Sequence, residues 1–201
     1  MNRVVLILGS NIDKEWNLPR AVRLLSERTE LLAVSSVYET APVGTTDQPL
    51  FFNAAALVET PLNAADLKQT VLSDIEQILK RVRTEDKNAP RTIDLDIVLF
   101  NDEVFAFNGR AVPDPDLQKF LHVAAPVAEL LPDGVHPESG EKLADLVARL
   151  VVEAANSGPL PIWKRHDFKL QATSAPTTAV VKAPRSRQTA VIGATAAASP
   201  Q

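Results

Sequence analysis

The order of the apolar segments constrains the fold of this chain more than any other feature of its sequence. Short runs rich in β-branched residues alternate with longer segments in which apolar residues recur every three or four positions, as on one face of a helix. The predicted elements are a strand at VVLILG, a helix over 16–30, strands over 31–40 and 51–59, a helix over 63–81 and a strand over 91–100. The second helix has Asn63 as its N-cap and an apolar stripe of Leu67, Val71, Ile75 and Ile78. This order predicts an α+β fold, a ferredoxin-like αβ sandwich with helices packed on an antiparallel sheet.

The remainder of the chain divides at about residue 156. Further helical segments are predicted over 114–133 and 140–155, which gives one domain over residues 1–156. Residues 157–201 form a C-terminal extension that ends in a tail biased to Ala, Thr, Ser and Pro. Such a tail cannot bury a core, so we expect disorder from roughly residue 170.

Composition narrows the compartment and the classes of partner. The chain contains no cysteine, which excludes a disulfide framework and a thiolate metal site. Its N-terminal apolar run is too short for a signal peptide or a membrane span, so we expect a cytoplasmic protein with no membrane partner. Residues 1–150 carry 15 basic and 23 acidic side chains, which argues against a nucleic-acid partner because phosphate contacts need a basic surface.

The segment PRTIDLDIVLF, residues 90–100, places two like charges in an otherwise apolar strand. Strand geometry puts Asp94 and Asp96 on one face, about 6.6–6.8 Å apart, and large apolar residues on both faces, which indicates a central strand. Buried carboxylates are costly unless a cation pairs with them, and Mg²⁺ prefers carboxylate and phosphate oxygens. The alternative is a pair of solvated aspartates at a strand end, paired with Arg91 or Arg81.

Three arginines, Arg81, Arg83 and Arg91, bracket the charged loop that leads into this strand. Guanidinium groups are preferred partners of phosphate oxygens. Two carboxylates for Mg²⁺ beside these arginines predict nucleotide phosphoryl chemistry, although Arg83 alone is also compatible with a solvated helix end. The sequence has no GxxxxGK[ST] motif, which excludes a P-loop.

PRTIDLDIVLF also resembles the signature of the 6-hydroxymethyl-7,8-dihydropterin pyrophosphokinases. Other stretches match that family in order and spacing over about residues 3–150: LGSN (8–11), SSVYETAPVG (35–44), DQPLFFNAA (47–55) and VPDPD (112–116). The resemblance implies the ferredoxin-like fold and a diphosphotransferase of folate biosynthesis. Such an enzyme transfers diphosphate from ATP to 6-hydroxymethyl-7,8-dihydropterin and releases AMP. The implied cofactor is Mg²⁺, as two ions with ATP, the implied partners are ATP and a reduced pterin, and the protein is expected to be a monomer.

The resemblance assigns roles to individual positions. Asp94 and Asp96 would bind the two Mg²⁺ ions, and with Arg81 and Arg91 they form the implied catalytic set. The implied ATP-binding residues are Glu76, Arg81, Arg83, Arg91, Ile97 through its backbone, and Asp114. The implied pterin-binding residues are Thr40, Pro42, Val43, Phe51, Asn53 and His122.

Some of these assignments compete with ordinary packing. Phe51 and Phe52 are adjacent in a strand, and we expect Phe52 to be the one in the core. Asn53 lies in the middle of that strand, where a buried amide needs hydrogen-bond partners that a pterin edge would supply.

The chain departs from the family at several positions. Asp114 stands where the family has a histidine that helps to hold an ATP phosphate, and an aspartate there repels phosphate unless a metal or an arginine intervenes. Phe120 replaces a basic residue, and Asn88-Ala89 replaces Trp-Gly. His122 replaces an aromatic residue and is the candidate for the second ring that stacks on the pterin, the alternative being a histidine satisfied at a helix start.

These departures leave two other functions open. One is a degenerate, non-catalytic relative that binds a pterin or a nucleotide. The other is a two-metal hydrolase that acts on a nucleotide or a phosphodiester.

Overall fold

The computed structural model describes residues 1–42, 48–86, 88–158 and 162–171. Its strands are β1 (Asn2–Ser10), β2 (Glu30–Val34), β3 (Val37–Thr40), β4 (Phe51–Thr60), β5 (Asp94–Phe100), β6 (Phe105–Phe107), β7 (Arg110–Val112) and β8 (Ile162–Arg165). Its α-helices are α1 (Lys14–Ser26), α2 (Ala64–Asp66), α3 (Ser73–Ile78), α4 (Leu121–Leu130) and α5 (Leu143–Ser157). A π-helical segment, Leu67–Leu72, joins α2 to α3, and a 3₁₀ helix, Pro115–Gln118, precedes α4.

The main sheet is antiparallel, with the strand order β5-β1-β4-β3-β8 and β2 also paired with β4. The strand β4 pairs with β1 on one side, through residues 52–60, and with β3 and then β2 on the other. The predicted single strand over 31–40 is therefore two strands. They separate at Ser35, whose hydroxyl accepts a hydrogen bond from the Ala55 N–H at 2.9 Å.

Apolar side chains cover both faces of this sheet. The first core lies between one face and the helices α1 to α3, and includes Leu6 of β1 and Leu25 of α1. The second core lies between the other face and α4 and α5, and includes Val5 of β1 and Val127 of α4. Adjacent residues of β1 enter different cores because side chains alternate along a strand. Helices packed on an antiparallel sheet confirm the predicted ferredoxin-like α+β class.

The predicted helix over 63–81 is confirmed with a change of register. Asn63 is the predicted N-cap, and its Oδ1 accepts a hydrogen bond from the Asp66 N–H at 2.9 Å. Within the π-helical segment hydrogen bonds span five residues, as in the bond from the Ser73 N–H to the Lys68 carbonyl. Ile78, predicted on the buried stripe, is 40% exposed, and Leu79 takes the buried position instead.

The expectation that 91–100 forms a central strand is wrong. Among the described residues β5 pairs with β1 alone, so it is an edge strand, and it begins at Asp94. The strand β5 is apolar because both of its faces are covered. Leu95 and Ile97 enter the first core, and Val98 and Leu99 enter the second.

The described part of the C-terminal extension adds β8 to the sheet beside β3, with Ile162 opposite Thr40. Phe168 then packs on the buried ring of Phe52, their centroids 5.2 Å apart. The tail over 172–201, predicted to be disordered, lies outside the described residues. Within the part of the chain that the structure describes, no helix combines the length and apolar character that a bilayer crossing requires.

Candidate active site

A cleft opens at the end of the sheet where β1 ends and β4 and β5 begin. The residues after β3 and the start of α4 complete its wall, and it encloses about 360 Å³. Of the residues assigned from the sequence, the cleft is lined by Thr40, Pro42, Phe51, Asn53, Arg91, Asp94, Asp96, Asp114 and His122. Four others, Glu76, Arg81, Arg83 and Ile97, do not line it, and Val43 lies outside the described residues.

Asp94 and Asp96 lie on the cleft wall, and each is already paired with two cations. Asp94 Oδ2 accepts from Arg91 Nη1 at 2.5 Å and lies 3.5 Å from Arg81 Nη2. Asp96 Oδ1 accepts from Lys68 Nζ at 3.0 Å and from Arg110 Nη1. Burial raises the pKa of Asp96, but Lys68 and Arg110 outweigh it and hold that pKa below its usual range. The Asp96 carboxylate is thus an anionic acceptor at neutral pH in the folded protein.

The aspartate pair fits Mg²⁺ by the chemistry of its donors. Both carboxylates are hard oxygen ligands, about one-fifth exposed, on the same face of one strand. In the described part of the chain, no group of three or more His, Asp or Glu side chains is arranged to hold a metal ion. An ion bound by Asp94 and Asp96 therefore takes its remaining ligands from water or from a bound molecule, as Mg²⁺ commonly does in phosphate sites.

Arg81 follows α3 and is buried with unmatched donors. Its side chain is 11% exposed, and its Nε and Nη1 atoms have no hydrogen-bond partner among the described residues. Lys80, in the left-handed region at φ 59°, ends the helix and turns the chain there. Burial of Arg81 lowers its pKa, with the charge of Asp94 opposing that shift. Because buried donors without acceptors are costly, the unmatched nitrogens indicate a place for an anion.

Glu76 is buried and ties the helix to β5. Its Oε1 accepts from the Leu95 N–H at 3.1 Å and from Lys68 Nζ at 3.2 Å, while Oε2 accepts from Arg83 Nη2 at 2.6 Å. The structure thus places Glu76 in a network that supports the aspartate strand. The side chain of Ile97 lies in the first core, so its backbone is the part able to meet a ligand, as the resemblance implies.

The cleft also has an aromatic end. Phe51 lies on the wall, whereas Phe52 is fully buried, so the prediction that Phe52 is the core residue of the two is confirmed. His122, in the first turn of α4, stacks on Phe120 with ring centroids 5.2 Å apart. Burial lowers the pKa of His122 and outweighs the charge of Asp116, which keeps the imidazole neutral at pH 7.

Asn53 joins this aromatic end to the sheet. It is 4% exposed, and its Nδ2 donates to Thr40 Oγ1 at 2.9 Å, so the protein itself supplies one of the partners that its amide needs. A β-carbon on Gly9 would lie 3.3 Å from Asn53 Oδ1, a contact that glycine avoids.

Asp114 brings a further carboxylate to the cleft. It caps the 3₁₀ helix, where its Oδ1 accepts from the Asp116 N–H at 2.9 Å. Burial, and then the charges of Asp116 and Asp96, raise its pKa, while Arg110 lowers it. Arg110 is thus an arginine near Asp114, one of the two kinds of group, with a metal, that the sequence analysis named as able to offset its charge.

Sequence reasoning missed two residues of this site, Lys68 and Arg110. Lys68 stands beside the buried Leu67, and its position in the π-helical segment directs it to Asp96. Arg110 comes from the short β6–β7 hairpin, where no periodic pattern marks it. A lone lysine in an apolar helical stretch was the available signal for the first, and the sequence holds no comparable signal for the second.

Comparisons with known proteins agree with this geometry. The sequence profile of 7,8-dihydro-6-hydroxymethylpterin-pyrophosphokinase (HPPK) matches residues 5–132. The chain belongs to the HPPK family. This confirms the family predicted from the motifs and, with it, the diphosphotransferase class.

Relatives with assigned names show the same likeness. The 2-amino-4-hydroxy-6-hydroxymethyldihydropteridine pyrophosphokinase of Bacillus subtilis is 44% identical over 134 residues, which cover 65% of this chain and 79% of that protein. The enzyme of the same name from Pseudomonas aeruginosa is 36% identical over 162 residues, covering 79% of this chain and 98% of that protein.

A solved structure extends the likeness to the fold. The HPPK-DHPS triple mutant of Plasmodium falciparum with pteroate matches with a TM-score of 0.64 at 14% identity. The match covers 81% of this chain and 46% of that one, so this chain spans slightly less than half the length of that protein. At this identity the likeness supports the fold alone.

Proposed function

We propose that this protein transfers diphosphate from ATP to 6-hydroxymethyl-7,8-dihydropterin in a Mg²⁺-dependent reaction, giving AMP and the pterin diphosphate. The observation that carries the proposal is a cleft wall on which Asp94, Asp96 and Arg91 lie together, with Arg81 next to Asp94 and holding two donors that have no acceptor among the described residues. Asp94 and Asp96 would hold two Mg²⁺ ions with the ATP phosphates. When bound, these ions neutralise phosphate charge and make the pterin hydroxyl more acidic.

The arginines would hold the phosphates during transfer. Arg81 offers two buried donors without acceptors, and Arg91 lies on the cleft wall beside Asp94. Phosphate oxygens suit guanidinium groups better than a single shared carboxylate oxygen does. We infer that both arginines contact the diphosphate as it moves, with Arg83 assisting from the helix end.

The aromatic end of the cleft would bind the pterin. The rings of Phe51 and His122 offer neutral stacking surfaces, and Thr40 and Asn53 offer polar atoms for the ring edge. Pro42, on the cleft wall, would also contact the pterin, and Val43, which the resemblance assigns to the same role, lies outside the described residues. Holding the hydroxymethyl group against the β-phosphorus supplies much of the rate enhancement, because positioning removes an entropic cost.

The proposed transfer is a single displacement at the β-phosphorus of ATP. The pterin hydroxyl oxygen forms a bond to the β-phosphorus, the bond from that phosphorus to the oxygen bridging the α-phosphate breaks, and AMP leaves with that oxygen. The hydroxyl proton passes to solvent. Asp114 would lie beside the nucleotide on the cleft wall, and Ile97 would meet it through its backbone. Glu76 would act indirectly, by fixing β5.

The experiment is a product assay. Folded protein, ATP, Mg²⁺ and 6-hydroxymethyl-7,8-dihydropterin should yield AMP and pterin diphosphate in equal amounts. The Asp96→Asn variant should lose this activity by at least about 100-fold, and Asp102→Asn, an exposed aspartate outside the cleft, should keep it. Release of AMP and pyrophosphate without a pterin product would instead identify a hydrolase.

Asp114 favours a second candidate, a non-catalytic relative. A carboxylate on the cleft wall weakens phosphate binding, and a degenerate binder would show weak ATP affinity that Asp96→Asn leaves unchanged. A protein that binds ATP in this way and makes no AMP would be such a relative.

We also propose that the protein acts as a monomer in the cytoplasm. The cysteine-free composition suits a reducing compartment. A mass measurement in solution by light scattering tests the first point.

A further inference from the structure

Lys68 is a buried cation that contacts a proposed metal ligand from inside the protein. Its side chain is 12% exposed, and its Nζ lies 3.0 Å from Asp96 Oδ1 and 3.2 Å from Glu76 Oε1. The Leu95 carbonyl accepts a third hydrogen bond from the same nitrogen. Three acceptors match the three donors of an ammonium group, so Lys68 is fully satisfied where it stands.

The second cation on Asp96 is held less firmly. Arg110 contacts the same Oδ1 atom, but its side chain is 42% exposed and comes from the short β6–β7 hairpin. An exposed ion pair contributes little and exchanges partners readily, whereas breaking a buried one leaves an uncompensated charge. Lys68 therefore stays on Asp96 when a ligand enters the cleft, and Arg110 is free to turn to that ligand.

Each aspartate already has two cationic partners without a ligand. Asp94 is paired with Arg91 and Arg81, and Asp96 is paired with Lys68 and Arg110. A divalent ion that arrives alone is repelled by these cations and has to share each carboxylate with them. An ion that arrives with ATP is part of an anionic complex, which the same cations attract.

We propose that Lys68 is a positioning residue that makes divalent-ion binding at Asp96 depend on the nucleotide. Lys68 binds Asp96 Oδ1 from the interior side of the strand. Asp96 Oδ2 takes no hydrogen bond from any residue in the described ranges, so it is available to bind the metal. The fixed charge of Lys68 weakens the binding of an ion that brings no phosphates. This inference rests on the proposed function, in which Asp96 is a metal ligand.

The test measures Mn²⁺ binding by electron paramagnetic resonance, which reports free Mn²⁺ and needs no turnover. Lys68→Met removes the charge and keeps the chain length, so Mn²⁺ without nucleotide should bind about tenfold more tightly than to the wild type. With a non-hydrolysable ATP analogue the change should be smaller, because Lys68 also attracts the phosphates. Lys68→Arg keeps the charge and should restore the wild-type affinity.

Lys14 provides a matched control. It is 14% exposed and is held by Glu39 and the Leu50 carbonyl, away from the aspartates, so Lys14→Met should leave Mn²⁺ binding unchanged. If Lys68→Met does not fold, Lys68→Gln, which keeps hydrogen-bonding atoms without the charge, takes its place.

Unchanged or weaker Mn²⁺ binding by a folded, uncharged variant would overturn the inference. So would the absence of detectable binding to both that variant and the wild type. The product assay separates these outcomes from failure of the proposed function, because a chain that makes no AMP can still show the predicted tightening.

Discussion

Replacing Asp114 by asparagine is expected to strengthen ATP binding. Asp114 lies on the cleft wall, and its Oδ1 caps the 3₁₀ helix by accepting from the Asp116 N–H. Asparagine caps helices as well as aspartate does and has nearly the same volume. The substitution therefore removes the charge and leaves the local fold in place.

The magnitude follows from Coulomb's law with the dielectric of water, which gives the smallest effect expected for this site. Two unit charges about 4 Å apart in water interact by about 1 kcal/mol. Arg110 offsets part of the Asp114 charge, while the several charges of a triphosphate add to the repulsion. We take about 1 kcal/mol as the net effect, which corresponds to an ATP dissociation constant about fivefold lower in Asp114→Asn.

The assay is isothermal titration of ATP with Mg²⁺ into wild type and variant at the same ionic strength. The matched control is Asp102→Asn, which removes the same charge from an exposed turn outside the cleft and should leave the dissociation constant unchanged. A higher salt concentration should reduce the difference in ATP dissociation constant between Asp114→Asn and wild type, because salt screens the repulsion. Equal or weaker ATP binding by a correctly folded Asp114→Asn would refute the reasoning that this carboxylate opposes the phosphates.

Two further predictions concern the aromatic end of the cleft. Phe52→Ala should lower the free energy of unfolding by about 3–5 kcal/mol, because it empties a fully buried site, as urea denaturation would show. Phe51→Ala, one residue away on the cleft wall, should lower the free energy of unfolding by about 1 kcal/mol or less. It should also weaken pterin binding in a fluorescence titration. Equal losses of stability in the two variants would contradict the assignment of Phe52 to the core and Phe51 to the cleft. The depressed pKa of His122 predicts how the stability of the fold depends on pH. Its contribution to the free energy of unfolding is complete above the unfolded-state pKa of about 6.5. Below that pH the stability falls, because the unfolded chain binds a proton at His122 more readily than the folded protein does. His122→Phe should lose less stability than wild type between about pH 7.5 and about pH 5.5, and an NMR titration that places the His122 pKa above 6.5 would contradict this.

The sequence predicted a structural feature correctly where the residue types involved suit only one position in a fold. Apolar periodicity gave the order of strands and helices, and Asp94 and Asp96 could be paired because alternation puts them on one face. Asn63 was identifiable as a cap because its side chain competes for the free N–H groups of a helix start.

Other features depended on contacts that periodicity does not encode. The composition of β5 cannot distinguish a central strand from an edge strand with both faces covered, since each face is equally apolar in the two cases. The π-helical segment displaced Ile78 from the buried stripe and directed Lys68 to Asp96. Arg110 reaches the cleft from a hairpin, so its role follows from tertiary position alone.

The division of the interior into two cores has an evolutionary consequence. The aspartates are backed by Ile93, Leu95 and Ile97 in the first core, whereas the turn that carries His122 is anchored by Leu121 and Val123 in the second. The sheet separates these two sets of contacts. Substitutions that reshape one substrate's subsite can therefore accumulate without disturbing the packing behind the other. A lineage of such proteins is free to vary the residues that we propose to bind the pterin, such as His122, while the strand that we propose to bind the metal stays under separate selection.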